Sequence, residues 1–342
     1  MKSPNRLPLF ILSLFLGALG VSLASPPQAT AAQFEIKEEE GAIAILIDGE
    51  LFTRYVVKDD ASNMPYFYPV IGPEGRAMTR SFPMEEVEGE ATDHPHQRSF
   101  YFAHQLINDF DTWHEELTMV ARSKGDQARF EELKKVLGSI RHREVVRKEA
   151  GEGRAVLEVV ADYVDASGEP AAEEHRTFTF QVDEKGSRLV DFDIEIFASK
   201  GPLTLHDAKD AGLSLRVAQT LSADAGEGGT LVNSAGDRDK DAWGKRAEWV
   251  DFNGPVDGQR VGIAMLNHPS SFRHPTPWHV RTYGLFTANP FGLKTVAEIE
   301  EDGTVELAEG ESLVLRHRVI FHLGDEKEAD IAGAWKAYAA EE

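Results

Sequence analysis

No cysteine occurs among the 342 residues. Disulfides, thiolate metal sites and cysteine nucleophiles are thereby excluded. Long apolar runs are also missing beyond Gln33, where nothing approaches the roughly 20 residues that cross a bilayer. Basic residues are few against acidic ones: 36 Lys and Arg face 58 Asp and Glu, for a net charge of −22. Such a field repels a polyanion such as nucleic acid and is indifferent to a neutral sugar or polyol. Familiar catalytic signatures are absent as well. No glycine-rich phosphate loop follows a strand, and there is no serine nucleophile elbow, His-Glu-x-x-His pair or calcium loop with full acidic spacing. Hydride transfer with a bound dinucleotide and serine hydrolysis are left without support.

What is present begins with the amino terminus. Lys2 and Arg6 precede an apolar run from Leu7 to Leu23, and small residues follow at Ala24 and around Ala29 to Ala32. That is the layout of a secretory signal peptide. Residues 1–32 are expected to be that signal, and 33–342 a single exported domain, periplasmic or extracellular, with no stable membrane insertion after cleavage. Loss of Lys2 and Arg6 leaves 34 basic against 58 acidic residues, a charge of −24. Without disulfides, the domain has to rest on a sizeable ordinary core.

The rest of the chain has the pattern of strands. Gly41 to Val57 holds two β-rich runs around Asp48-Gly49, a hairpin signature. Phe178, Phe180 and Val182 alternate with polar residues, as do Val190, Phe192, Ile194 and Ile196. "VELAEGESLVLRHRVIFHLGD" predicts a further hairpin. Helix is expected only over Gln127 to Leu137 and Glu326 to Ala339, and Ser222 to Gly244 is expected to be a surface loop. Many short strands and few helices predict a mainly β fold, a large antiparallel two-sheet β-sandwich of supersandwich type with a short C-terminal helix.

Polar residues gather in a few stretches. In "DHPHQRSFYFAHQLINDFDTWHEE", His94 and His96 are two apart and share one side of a strand. His104 keeps that side if the strand is regular. These three are the candidate ligands of a divalent transition metal, and equally candidates for acid/base work. "LTLHDAKDAGLSLRV" offers Asp207 or Asp210 to orient a histidine or accept sugar hydroxyls. "HPSSFRHPTPWHVRTYGLFTANPFG" brings His268, Arg273, His274, His279 and Arg281 together with Trp278, whose flat face suits a pyranose ring. Pro269, Pro275 and Pro277 limit this segment's freedom, which lowers the entropy lost on binding. "MPYFYPVIGPEGRAMTR" places Tyr66 where it can wall a cleft.

With "PYFYPVIGPEG", "DHPHQRSFYFAHQLIND", "FRHPTPWHVRTYGLFTANPFG" and "GESLVLRHRVIFH", the chain resembles the family often labelled PmoA, a domain of unknown function in exported bacterial proteins. The resemblance spans roughly Ile36 to Gly324. Its strand pattern is similar to the galactose-mutarotase-like supersandwich. That likeness implies a wide cleft in which histidines and carboxylates bind sugars and carry protons, without placing the mutarotase catalytic pair on particular residues.

These readings define the expected function: an exported carbohydrate-active protein, an acid/base epimerase, mutarotase or lyase on a sugar or modified sugar. His96 or His104 is expected as one proton-transfer group and His274 or His279 as the other. Tyr66, His94, Arg98, Asp207, His268, Arg273 and Trp278 are expected to bind the ligand. A non-catalytic carbohydrate-binding protein and a histidine-ligated metalloenzyme are the alternatives. The partner in each case is a carbohydrate or other small polar ligand, not nucleic acid.

Overall fold

A computed structural model describes Met1 and residues 31–341 of the chain. The expected signal peptide lies almost wholly outside the described residues. From Ala31 onward the chain is one compact unit. Its elements run β1 (Phe34–Glu39), β2 (Ala42–Ile47), β3 (Glu50–Val56), β4 (Tyr66–Val70), β5 (Phe100–His104), α1 (Glu116–Ser123) and α2 (Gln127–Leu133). Next come β6 (Ser139–Ala150), β7 (Arg154–Val164), β8 (Pro170–Val182), β9 (Arg188–Phe197), β10 (Leu203–Leu205), β11 (Ala211–Arg216) and β12 (Thr230–Asn233). The series closes with β13 (Trp249–Val256), β14 (Gln259–Asn267), β15 (Trp278–Val280), β16 (Leu285–Ala288), β17 (Val305–Leu307), β18 (Ser312–Leu323) and α3 (Ile331–Tyr338).

Two eight-stranded antiparallel sheets carry the fold. The first has the order β1-β2-β3-β4-β5-β11-β16-β15, and the second β12-β13-β14-β18-β9-β8-β7-β6. They pack face to face through aromatic residues that alternate along their strands. Phe67 meets Phe178 at 4.9 Å, Phe100 meets Phe192 at 5.3 Å, and Phe252 meets Phe286 at 4.9 Å. Each such ring taken fully from water contributes about 1.5–3 kcal/mol, so this interior is what holds a disulfide-free chain. The mainly β sandwich expected from the alternation is the observed fold.

The Asp48-Gly49 hairpin forms between β2 and β3, with both turn residues at positive φ (53° and 82°) as a tight two-residue turn requires. Other expectations needed correction. β17 does not fold back on β18; it pairs with β10 in a small separate ladder. The Ser222–Gly244 segment is not wholly loop, since β12 lies within it and pairs with β13. The helix expected from Gln127 ends at Leu133 and tightens into a 3₁₀ turn, and α1 precedes it unforeseen. α3 begins five residues late because the Asp330 carboxylate accepts the Gly333 amide hydrogen and caps the helix there. α3 packs on the outer face of the second sheet, where Ile331 and Tyr338 meet Val232, Trp249, Leu266 and Ile320.

Candidate functional site

Sheet register gathers polar side chains on the outer face of the first sheet. Tyr101 of β5 stands opposite Ser214 of β11, Ser214 opposite Thr287 of β16, and Thr287 opposite His279 of β15. Their neighbours Phe100, Phe102, Leu213, Leu215, Phe286, Trp278 and Val280 point the other way, into the core. Ser214 Oγ and Thr287 Oγ1 share a hydrogen bond of 2.9 Å. All four residues of the row are buried, so loops cover this face too. Gly212 permits the close approach of β11 to β16: at φ 120°, a Cβ there would stand 2.0 Å from the Ala288 carbonyl oxygen.

Around the row runs a chain of imidazoles and guanidiniums. Asp111 Oδ1 accepts the backbone N–H groups of Trp113 and His114, a local turn that fixes His114, whose Nδ1 donates to Asp111 Oδ2 at 2.7 Å. Arg122 Nη2, reaching in from α1, donates to His114 Nε2 at 2.7 Å. A guanidinium has no acceptor, so the His114 proton sits on Nδ1. Asp210 lies next, with Oδ2 3.7 Å from His114 Nε2 and Oδ1 3.8 Å from His279 Nδ1. His279 repeats the pattern: Nδ1 donates to the Lys209 carbonyl oxygen at 2.8 Å, and Nε2 accepts from Arg281 Nε at 3.3 Å. Burial, with Arg281 and Lys209 nearby, brings the His279 imidazole down to about 3, so it is neutral near pH 7.

His96 completes the group. Its ring centroid is 4.8 Å from that of His114 and 5.8 Å from that of His94. Nδ1 is 2.9 Å from Thr118 Oγ1 of α1, and Nε2 has no partner among the described residues. Burial, reinforced by the positive potential of His114, His94, Arg122 and Arg80, holds this imidazole well below its ordinary value. The Tyr101 hydroxyl is fully buried beside Ser214 without a well-formed hydrogen bond. Burial and then the Asp210 carboxylate push this phenol well above its ordinary value, so it stays protonated. The group thus offers a proton acceptor at His96, a proton donor at Tyr101 and a half-buried carboxylate at Asp210.

Beside it lies a cavity of about 180 Å³ lined by Arg80, Asp93, Arg216, Gln219, Asp224 and Tyr283. Arg80 and Arg216 both donate to Asp93 Oδ1, at 2.7 and 2.8 Å. Burial opposes charge on Asp93, yet His94, Arg216 and Arg80 together hold its carboxyl well below the usual carboxylate range. Tyr283 joins cavity and histidines: its ring stacks with His94 at 5.2 Å and carries the Arg216 guanidinium 4.5 Å from its centroid.

Of the residues singled out in the sequence, His94, His96, Asp210, His279 and Arg281 come together here, and the others do not. His104 points into the core against Phe291, because the strand is not regular: His94 and Ser99 have φ of 45° and 23°, and β5 starts only at Phe100. The His104 Nδ1 accepts from the Leu106 amide, Nε2 is buried without a partner, and burial brings the ring down to about 3. His94, His96 and His104 therefore do not converge on one ion, and among the described residues no three His, Asp or Glu side chains are arranged to hold a metal.

The remaining expected ligand-binding groups are structural. Arg98 donates twice to Glu115 (2.5 and 3.0 Å) and once to Asp59 (3.0 Å), and Tyr66 donates to the same Asp59 at 2.7 Å. Asp207 clamps backbone instead of a ligand, accepting the amides of Lys294, Thr295 and Gly303; its neighbour Asp210 is the one that reaches the site. Arg273 donates to the carbonyls of Pro290 and Gly303. Trp278 has no exposed face to offer a sugar: it is buried, with Nε1 donating to the Ala247 carbonyl at 2.9 Å. His274 stacks on Trp335 of α3 and bonds Asn267 Oδ1 at 2.9 Å, while His268 bonds Ser270 and the Glu341 carbonyl. Both lie against the α3 side of the second sheet, away from the row. Tyr101, His114, Arg122 and Tyr283 were missed. Two cues were available: a lone polar residue between Phe100 and Phe102, and the Asp111–His114 spacing of a side-chain-capped turn.

Fold and site together define a two-sheet β-sandwich with a buried imidazole, guanidinium and carboxylate group on an outer sheet face. The chain belongs to the family described as a family of unknown function, DUF6807, whose model matches residues 42–336. That description carries no PmoA label. No curated protein matches. Among solved structures the chain is similar to a galactose 1-epimerase from Lactobacillus acidophilus NCFM, at 10% identity and a TM-score of 0.33, over 86% of this chain and 100% of that one. A GalM/aldose epimerase homologue from C. elegans gives 9% identity and a TM-score of 0.30, over 86% and 99%. A glycoside hydrolase family 97 enzyme from Pseudoalteromonas sp. strain K8, in complex with acarbose, gives 11% identity and a TM-score of 0.32 over 86% of this chain. The chain spans 35% of that enzyme's length.

Proposed function

We propose that the protein is carbohydrate-active and moves protons at a sugar or modified sugar, as an epimerase, mutarotase or lyase does. One observation carries the reading: His96, a neutral imidazole whose Nε2 has no partner among the described residues, packs on the same Trp113 ring as Tyr101, whose buried hydroxyl lacks a well-formed hydrogen bond. A neutral imidazole accepts a proton, and a phenol held protonated by burial delivers one. Asp210, whose carboxylate oxygens lie no nearer than 3.7 Å to any imidazole nitrogen, is left to accept a sugar hydroxyl. His279 does not take the second proton-transfer role, because Arg281 engages its Nε2; it positions that arginine. The same proposal places the mature protein outside the cytoplasm, on the amino-terminal pattern of Lys2, Arg6 and the apolar run from Leu7 to Leu23.

The test is turnover of a sugar panel followed by proton exchange or anomer interconversion in deuterated buffer. His96→Ala and Tyr101→Phe are expected to lower the rate about 100-fold or more while remaining folded. Full activity in both variants contradicts the assignment. A second reading, sugar binding without turnover, is favoured by the engagement of both nitrogens in His114 and in His279. It predicts saturable binding with no exchange for any sugar tried.

A further inference from the structure

Two guanidiniums at the site donate to imidazoles instead of carboxylates. Arg122 Nη2 bonds His114 Nε2, and Arg281 Nε bonds His279 Nε2. Among the described residues neither arginine has a carboxylate within ion-pair distance, although the chain carries 58 acidic residues, and their remaining N–H groups have no acceptor there. Of the nearby acids, Asp111 accepts from His114 and two backbone amides and Asp93 accepts from Arg80 and Arg216, while Asp210 lies 3.7 Å from His114 Nε2 and 3.8 Å from His279 Nδ1 without reaching either arginine. Arg281 is the better anchored of the two. It is half-buried, fixed at Nε by His279, and lies with its guanidinium carbon 5.0 Å from the centroid of the Trp243 ring. A fixed planar fork with free N–H groups fits a carboxylate, sulfate or phosphate in bidentate fashion and loses little entropy in doing so. A second, independent observation is the Tyr101 hydroxyl, buried without a well-formed hydrogen bond beside Ser214 and near Asp210, which itself lies 3.8 Å from His279 Nδ1.

We propose that this site takes a sugar bearing an anionic group, received by Arg281 with Arg122 as the second cation. The inference rests on the carbohydrate reading above and sharpens it. The acidic surface then acts as a filter: an anionic sugar reaches the site against the overall field and is held only where fixed guanidiniums lie.

The test is calorimetric titration of the whole protein with matched probes: methyl glucoside, methyl glucuronide, glucose 6-sulfate and glucose 6-phosphate, and their galacto counterparts. One anionic class is expected to bind about tenfold or more tighter than its neutral partner, the scale of a charge-assisted pair. Which of the three anions does so separates uronate from sulfate and phosphate esters. Arg281→Gln is expected to bring the ratio near one, and Arg281→Lys to keep part of it. If Arg281→Gln does not fold, Arg122→Gln on exposed α1 must reduce the ratio, and an unchanged ratio there overturns the proposal. Equal or better binding of the neutral sugar overturns this inference and leaves the carbohydrate reading standing. No binding of either class overturns both.

Discussion

Two histidine groups lie on different sheets, and they differ in the partners they keep. On the first sheet, His96, His114 and His279 sit among Asp111, Asp210, Arg122 and Arg281. On the second, His268, His274 and His317 bond Ser270, the Glu341 carbonyl and Asn267, and pack against Tyr338 and Trp335 of α3. Among the described residues both groups hold buried polar atoms without a partner, the Tyr101 hydroxyl in the first and His317 Nδ1 and the Tyr338 hydroxyl in the second. The first alone joins guanidiniums to imidazoles beside the Asp210 carboxylate. The second is built from neutral hydrogen bonds and aromatic stacking that secure a helix to a sheet. Histidine density was equal evidence for both in the sequence. What separates the two is the company of the imidazoles: guanidiniums and a carboxylate in the first group, an amide, a hydroxyl and aromatic rings in the second.

Four perturbations sharpen that contrast. The largest effect is expected from Glu115→Ala, which leaves Arg98 buried without its bidentate partner at the start of α1. Loss of such a partner destabilises by about 3–5 kcal/mol, read as a fall in the denaturant midpoint. Next, His96→Ala should abolish turnover, whereas His274→Ala should leave it unchanged and lower stability by about 1 kcal/mol through its lost hydrogen bond. His104→Leu removes a buried N–H without a partner but also the acceptor of the Leu106 amide; the two effects, each about 1 kcal/mol, offset, and near-neutral stability is expected in urea titration.

A pH slope is expected as well. His104, His279 and His317 each have a folded value of about 3, below the unfolded 6.5. Below pH 6.5 the unfolded chain binds more protons than the folded one, so stability is full above that pH and falls as pH drops toward 3. Each histidine contributes a slope of about 1.4 kcal/mol per pH unit within that window. Denaturant titrations at several pH values should show the slope reduced in His104→Leu.

Much of the fold was legible because period-2 alternation survives wherever one face of a strand is buried. Phe178–Phe180 and Val190–Ile196 announce β8 and β9, and Asp48-Gly49 announces its turn. The pattern fails where both faces are covered. β11 is buried at every position, so nothing local shows that Ser214 faces the site and Leu215 the core. It also fails where the backbone leaves the strand: positive φ at His94 and Ser99 cancels the parity that linked His96 to His104. β17 was misjudged because its partner β10 is about a hundred residues away, and a short loop toward β18 looks like a hairpin in sequence alone. For the site, stretches rich in histidine were visible, but which member reached it depended on register between β11, β15 and β16, a long-range property.

The central claim is that the first-sheet group is the ligand site and the second-sheet group is scaffold. It is tested most directly by thermal shift of wild type, His96→Ala and His274→Ala against one panel of neutral and anionic sugars. The account predicts a sugar that raises the melting temperature of wild type and His274→Ala alike and leaves His96→Ala unmoved. A shift retained in His96→Ala and lost in His274→Ala would contradict it.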